Sequence, residues 1–294
     1  MVGQNSLGRK TFVIINTVFL VMSAVICLIP IINVLAISLS SSMAAGAGEV
    51  YLWPVQFTTK AYEFVLAKTE FWLSFGITIK RVILGTTINM LLSILIAYPL
   101  SKQTKDFRLR TPIVWFFVLT MLFSGGLIPT YMIVKNTKLI DSIWSLILPN
   151  AVNVFNIILL LNFFRNIPKE LEEAAFIDGA GHWTILWKIF IPLSMPAIAT
   201  LIVFTVVGHW NSWFDGMIYM NNSSNYPLQT YLQTLVVQTN SPIMSRANAL
   251  LLRVISERTV KSAQIFIATI PVFLLYPFLQ KHFMAGIVLG GVKE

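Results

Sequence analysis

Glu173-Ala174-Ala175-Phe176-Ile177-Asp178-Gly179, followed further on by Ile189-Phe190-Ile191-Pro192, decides how the rest of the chain is read. It is a short polar helix and turn set between two long apolar segments. In a chain of bilayer-length apolar runs, such an element stands at the water boundary. Something outside the lipid can grip it there.

The residues around it read as a bounded helix. Asn166 is a cap, and Pro168 fits the first turn, where a missing N–H does no harm. Glu170, Glu172 and Glu173 lie near the positive end of the helix dipole. Gly179 and Gly181 end the helix, because glycine readily takes the left-handed termination. Lys169–Asp178 then makes a helix of about 15 Å, too short to cross a membrane. Leu171, Ala174, Ala175 and Asp178 share a face by their three- and four-residue spacing. The two alanines keep that face thin, and the glutamates beside it can pair with basic groups. Two readings stand: a lever gripped by a soluble partner, or an interfacial helix resting on the bilayer.

Composition fixes the solvent. The 294 residues are 56% apolar and only 11% charged, where a soluble domain carries about 25% charged residues. Too few charges remain to cover a water-exposed surface, so the lipid bilayer is the chain's solvent. The net charge is +9. The basic residues lie between apolar runs and form no stripe in a polar domain, which points to membrane topology rather than nucleic acid. Cys27 is the only cysteine, so no intrachain disulfide forms. His182, His209 and His282 are far apart in sequence, and no His/Cys cluster has metal-ligand spacing.

The expected fold is all-α and polytopic. A helical crossing takes about 20 mostly apolar residues, and six candidates meet that need: Phe12–Ile37, Val82–Leu100, Pro112–Tyr131, Ile143–Phe164, Ile185–Val207 and Ala263–Lys281. The first is too long for a signal-peptide core and reads as a retained anchor. The second is expected to begin near Trp72, with Lys80 and Arg81 snorkelling at the interface. Lys102, Lys105, Arg108 and Arg110 mark a compact cytoplasmic loop, which puts both termini inside. The whole of 1–294 reads as a single transmembrane domain, with a cytoplasmic segment at 166–192 and long outer loops at 38–71 and 209–262. Trp53, Trp210 and Trp213 suit the headgroup zone of those loops. No ionisable group is expected deep in the spans. Asn89, Asn153 and Asn156 either line a path for a polar solute or bond helices together. Pro30, Pro99, Pro196 and Pro271 are candidate bends.

The spacing Glu-Ala-Ala, three residues, Gly, nine residues, Ile, one residue, Leu-Pro resembles the signature of the inner-membrane permeases of binding-protein-dependent ABC importers. Glu173-Ala174-Ala175, Gly179, Ile189 and Pro192 meet it, with Ile191 where leucine is usual. Asp178-Gly179-Ala180 matches the usual Asp-Gly-Ala. The similarity runs over nearly the whole chain and looks like the MalG-like branch. Ala97-Tyr98-Pro99-Leu100-Ser101, Gly126-Leu127-Ile128-Pro129-Thr130-Tyr131 and the tail Gly286–Lys293 carry it. Trp210–Asp215 and Tyr226–Tyr231 are similar to an LplC-like subgroup associated with complex, often uronate-containing oligosaccharides.

The resemblance implies a type I importer permease in a bacterial cytoplasmic membrane. It implies a second homologous permease, two ATPase subunits carrying ATP and Mg, an external solute-binding protein and an oligosaccharide substrate. Glu172, Glu173, Ala174, Ala175, Asp178, Gly179, Ile189 and Pro192 would then couple the chain to the ATPases. Gln233, Thr234, Gln238 and Asn240 would lie in the stretch that meets the binding protein. Gly290, Gly291 and Lys293 would touch the ATPase pair. The chain has no Gly-x-x-x-x-Gly-Lys-Ser/Thr loop, so ATP would be bound by the partners. A secondary carrier or channel for a polar solute is the alternative, and a polytopic enzyme the third class. Asp141 and Asp215 come nearest to paired acids for an enzyme, and both read as surface or turn residues.

Overall fold

Continuous apolar sequence in lipid leaves the backbone no partner but itself, so it folds into helices. The computed structural model of the chain describes residues 7–238, 256 and 258–274, and among these there is no strand. The helices are α1 (Leu7–Ser38), α2 (Ser42–Ala47), α3 (Lys60–Leu66), α4 (Thr69–Ser101), α5 (Arg110–Leu122), α6 (Leu127–Asn136) and α7 (Ile143–Ile147). After them come α8 (Val154–Arg165), α9 (Lys169–Ile177), α10 (His182–Ile185), α11 (Ile191–Leu193), α12 (Met195–Asn211), α13 (Phe214–Tyr219) and α14 (Leu228–Gln238). A π-helical turn, Leu186–Phe190, joins α10 to α11, and residues 258–274 are helical.

Only α1 and α4 are unbroken helices long and apolar enough to span a bilayer among the described residues. Three further expected spans are each a bent pair: α5 with α6 (111°), Ile143–Asn150 with α8 (48°), and His182–Leu193 with α12 (80°). With each pair counted as one span the described residues give up to five. Residues 275–281 of the sixth expected span lie outside the described residues.

The breaks have local causes. Gly126, with φ 85°, opens α6 in a conformation that L side chains avoid. Pro196 stands in the first turn of α12, so it starts that helix rather than bending one from within. α4 does begin near Trp72, at Thr69, and Lys80 is exposed. Arg81 departs from expectation, as its side chain is buried rather than snorkelling.

The described residues divide into two compact units, one from within Met1–Thr69 and Leu235–Pro271, the other from within Glu70–Thr234 and Val272–Glu294. In the first, Ala36 and Ile37 pack with Ala44, Ala45 and Val50, and α2 is capped by the Ser41 hydroxyl and by Gly48. Arg258 Nη1 donates to the Ala45 carbonyl at 3.1 Å, tying Arg258 to α2. Phe12, Ile14, Phe19, Met22 and Ile26 on α1 are exposed, a surface that belongs against lipid or protein.

In the second unit the main core joins α4 (Met90, Ile94, Ala97, Tyr98), α8 (Ile157, Leu160, Leu161, Phe164), the turn around Ile185–Phe190 and α12 (Ala197, Ile198, Leu201). Asn89 and Asn156 are buried beside it. Asn89 Nδ2 donates to the Asn150 and Ala151 carbonyls at 3.3 and 3.1 Å, which the break before α8 has left without helical partners. Asn156 Nδ2 donates to Asn89 Oδ1 at 2.9 Å and to Thr205 Oγ1 at 3.1 Å, linking α4, α8 and α12. Asn89→Leu strands both carbonyls and is expected to cost about 1–3 kcal/mol. Asn156→Leu is expected to cost about 1 kcal/mol. Thermal unfolding of the detergent-solubilised protein measures both; equal, negligible shifts would remove this bonding role.

Candidate functional site

The segment 166–192 is built from its termini inward. Asn166 is the C-cap of α8, not the N-cap of α9; Pro168 holds the latter place with extended backbone. α9 ends one residue earlier than expected, at Ile177, with Asp178 as C-cap. Gly179 follows at φ 78°. Its N–H donates to the Phe176 carbonyl at 3.0 Å, and the Ala180 N–H donates to the Ala175 carbonyl at 2.9 Å. That pair of bonds is a Schellman motif, which needs a left-handed residue where Gly179 stands. Gly181 plays no such part: it is the N-cap of α10, with φ −79°.

The predicted contact face splits in two. Glu173, Ala174, Phe176, Asp178 and Gly179 are exposed, and Ile177 is 87% exposed. Ala175 turns toward the protein and packs, with Ala180, Ile189 and Ile191, against the main core. Pro192 is exposed in α11. Glu172 also turns inward, where its Oε1 accepts from Lys102 Nζ at 2.5 Å. Lys102 lies over the rings of Tyr98 (3.9 Å) and Phe190 (4.2 Å). Burial draws the Lys102 ammonium pKa below its ordinary value, and the Glu172 carboxylate opposes that shift. Sequence alone does not separate Glu172 from Glu173. The feature that does is Lys102, the residue that follows α4.

Beside α9 a cavity of about 950 Å³ is lined by Tyr98, Lys102, Arg110, Glu172, Phe176 and Trp183, among others. Arg110 Nε and Arg165 Nη2 both donate to the Leu100 carbonyl, at 2.9 and 3.5 Å, neutralising the negative end of α4.

A second cavity, of about 550 Å³, is lined by Arg81, Asn89, Asn153, Asn156, Thr205 and His209, among others. The three asparagines are thus together, although Asn153 is exposed and caps α8 by accepting from the Asn156 N–H at 3.2 Å. Above them lies a group that the sequence reading missed. Arg81, 1% exposed, makes a two-pronged ion pair with Asp215, its Nη1 donating to Oδ1 at 3.1 Å and its Nη2 to Oδ2. Asp215 also accepts from the Ser212 hydroxyl and the Gly216 N–H, both at 2.9 Å. It is therefore a half-buried counter-ion to Arg81 and not a free surface or turn residue. His209 is buried against Gly85, where an added Cβ would stand 2.5 Å from Nε2. Gly85→Ala is expected to cost about 1–3 kcal/mol through overpacking, read as a lower melting temperature; an unchanged one would mean the imidazole swings aside freely.

Asp141 has the turn role expected of it. Its Oδ1 accepts from the Asn225 amide and from the N–H groups of Asn221 and Asn222 at 3.2–3.3 Å. These bonds, Asn225 first, hold its pKa below the ordinary carboxylate value. No group of three His, Cys, Asp or Glu residues suited to a metal occurs among the described residues. Gln233 and Thr234 lie half-buried on α14. Gln238 ends that helix, and its side chain, like Asn240, Gly290, Gly291 and Lys293, lies outside the described residues.

An exposed helix closed by a left-handed glycine, with broken spans on either side, defines a class. Residues 107–289 match the family of binding-protein-dependent transport system inner membrane components, and this chain belongs to it. Its fold is that of a type I ABC permease.

Two relatives from Bacillus subtilis (strain 168) show how far the similarity reaches. The chain is 42% identical over 275 residues to the polygalacturonan/rhamnogalacturonan transport system permease protein YtcP, covering 94% of this chain and 96% of that one. It is 37% identical to the protein LplC, covering 99% and 97%. Among solved structures, a chain of a bacterial ABC transporter involved in the import of the acidic polysaccharide alginate is 35% identical, with a TM-score of 0.86, covering 96% of this chain and 99% of that one.

Proposed function

We propose that this chain is the permease subunit of an ATP-driven importer for a uronate-containing oligosaccharide. The observation that carries the reading is the exposed end of α9, beside which Ala175, Ala180, Ile189 and Ile191 anchor the segment to the core. The names of its relatives point to acidic polysaccharides as the source of the solute. The chain works as one permease domain beside a second, homologous permease. Two ATPase subunits on the cytoplasmic side hold ATP and Mg, and an extracytoplasmic binding protein delivers the sugar. Both termini are cytoplasmic in this reading, which the basic Lys102–Arg110 loop supports under the positive-inside rule.

In this mechanism ATP-driven closure of the partners moves α9. Glu173, Ala174, Asp178 and Gly179 make the contact, while Ala175, Ile189 and Pro192 pass the motion to α12. The spans then open alternately outward and inward past Asn89, Asn153 and Asn156. Gln233, Thr234, Gln238 and Asn240 belong to the stretch that meets the binding protein. Gly290, Gly291 and Lys293 reach the ATPase pair.

The test is uptake of labelled oligogalacturonate into proteoliposomes holding the full complex. Uptake that needs both internal ATP and the binding protein is the expected result. Uptake driven by an ion gradient without ATP would make the protein a secondary carrier instead.

A further inference from the structure

α9 is fastened to the body by more than its apolar side. Lys102, the first residue after α4, places its ammonium against three groups at once: the Glu172 carboxylate of α9, the Tyr98 ring of α4 and the Phe190 ring of the π-helical turn. The two rings meet edge to face at 5.1 Å, and Phe190 meets Phe164 of α8 at 5.4 Å in the same way. A second fastening lies one turn further along. Phe176 of α9 packs on His182 at 5.1 Å, and His182 Nδ1 is 3.1 Å from the Tyr98 hydroxyl. Both fastenings converge on Tyr98, one turn from the end of α4.

We infer that Lys102 is a positioning residue for energy coupling: seated between Tyr98 and Phe190, it ties Glu172 of α9 to the end of α4. Ala175 and Ile189 join α9 to the core that includes α12. Lys102 adds a second route, into α4. A displacement of α9 thus reaches both walls of the cavity below Arg81 together. Lys105, Asp106 and Lys169 line the same cavity, and Asp106 acts on Lys102 through its charge, but no ion pair other than that with Glu172 holds Lys102 among the described residues. Glu173 points to solvent, and Arg110 and Arg165 are engaged on the Leu100 carbonyl. The seat is selective for a cation, because the faces of both rings are negative and only a positive head gains from them. The chemistry separates this arrangement from a surface ion pair, which contributes little. Here the side chains of Lys102 and Glu172 are 10% and 18% exposed.

The inference rests on the coupling role of α9 proposed above, and the experiment keeps the two apart. Sugar uptake and ATP hydrolysis are measured together in proteoliposomes holding the complete importer. Lys102→Met and Glu172→Gln are each expected to lower the saccharide moved per ATP by about fivefold while the ATPase subunits still co-purify. Lys102→Arg should stay within about twofold of the unmodified ratio, since a guanidinium also fits over aromatic faces. The reversed pair, Lys102→Glu with Glu172→Lys, should fail to recover, because a carboxylate is repelled by both rings.

An unchanged ratio in Lys102→Met would overturn the inference. So would recovery by the reversed pair, which would leave a plain ion pair with no aromatic seat. Loss of the ATPase subunits from Lys102→Met that Lys102→Arg does not repair would reduce Lys102 to a folding role. Gly179→Trp is run in parallel: if it too left coupling intact, the role of α9 itself would fall and not only that of Lys102.

Discussion

Gly179→Trp is expected to lower sugar uptake by about tenfold or more while the protein still folds and inserts. The residue sits at φ 78°, where an L side chain costs about 1–2 kcal/mol. Relief of that strain breaks the bonds from Gly179 N–H to Phe176 and from Ala180 N–H to Ala175, so the end of α9 frays. The added ring also stands on the surface offered to the ATPase subunit. Gly179→Ala separates the two effects. A Cβ there meets no atom within 4 Å, so only the backbone strain acts and a smaller loss is expected. Parallel measurement of uptake and of sugar-stimulated ATP hydrolysis reads both variants. Normal values in the tryptophan variant would refute a force-bearing α9.

Asp215→Ala should be strongly destabilising. It leaves the Arg81 guanidinium buried without its counter-ion, and breaking a buried pair from one side costs about 3–5 kcal/mol. The other acceptors near Arg81, the Ser212 and Leu146 carbonyls at 3.4 Å, are long and uncharged. Removing both charges should be far milder. Arg81→Met with Asp215→Leu is expected to recover most of the lost stability, since an apolar pair of similar volume avoids the desolvation penalty. Thermal unfolding in detergent, with and without lipid, measures the set. A double variant no more stable than Asp215→Ala would mean that the pair is needed for its geometry rather than for charge balance.

What could be read from the sequence was local. The turn at Gly179 was legible because a left-handed C′ glycine and the alanines before it are neighbours in the chain. The helical nature of the spans followed from the demand that lipid makes on backbone groups. Pro196 suggests a bend, and the backbone breaks two residues before it, at Ser194. The bends at Gly126 and Asn153 went unread, although Ser124-Gly125-Gly126 and Pro149-Asn150 interrupt the apolar runs there. The Arg81–Asp215 pair did not show either, its members being 134 residues apart. A basic residue near the end of a span suggests snorkelling until the acid that meets it is known. The family resemblance assigns Glu172 and Glu173 alike to the ATPase contact, but neighbours in sequence point about 100° apart on a helix. One of them faces Lys102 and the other faces water. Sequence alone leaves the asparagines between lining a solute path and bonding helices, and the hydrogen bonds of Asn89 depend on carbonyls released by the break before α8.

In the proposed mechanism a nucleotide-hydrolysing partner grips the exposed side of α9 from the cytoplasm. Cys27 is the only cysteine, so Ala174→Cys in a Cys27→Ala background carries a single thiol. A photoactivatable cross-linker on that thiol, in membranes containing the complete importer, should join this chain to the ATPase subunit, with a yield that changes when ATP is added. Labelling of the same thiol from outside intact cells by a membrane-impermeant maleimide, with no adduct to the ATPase, would contradict the account.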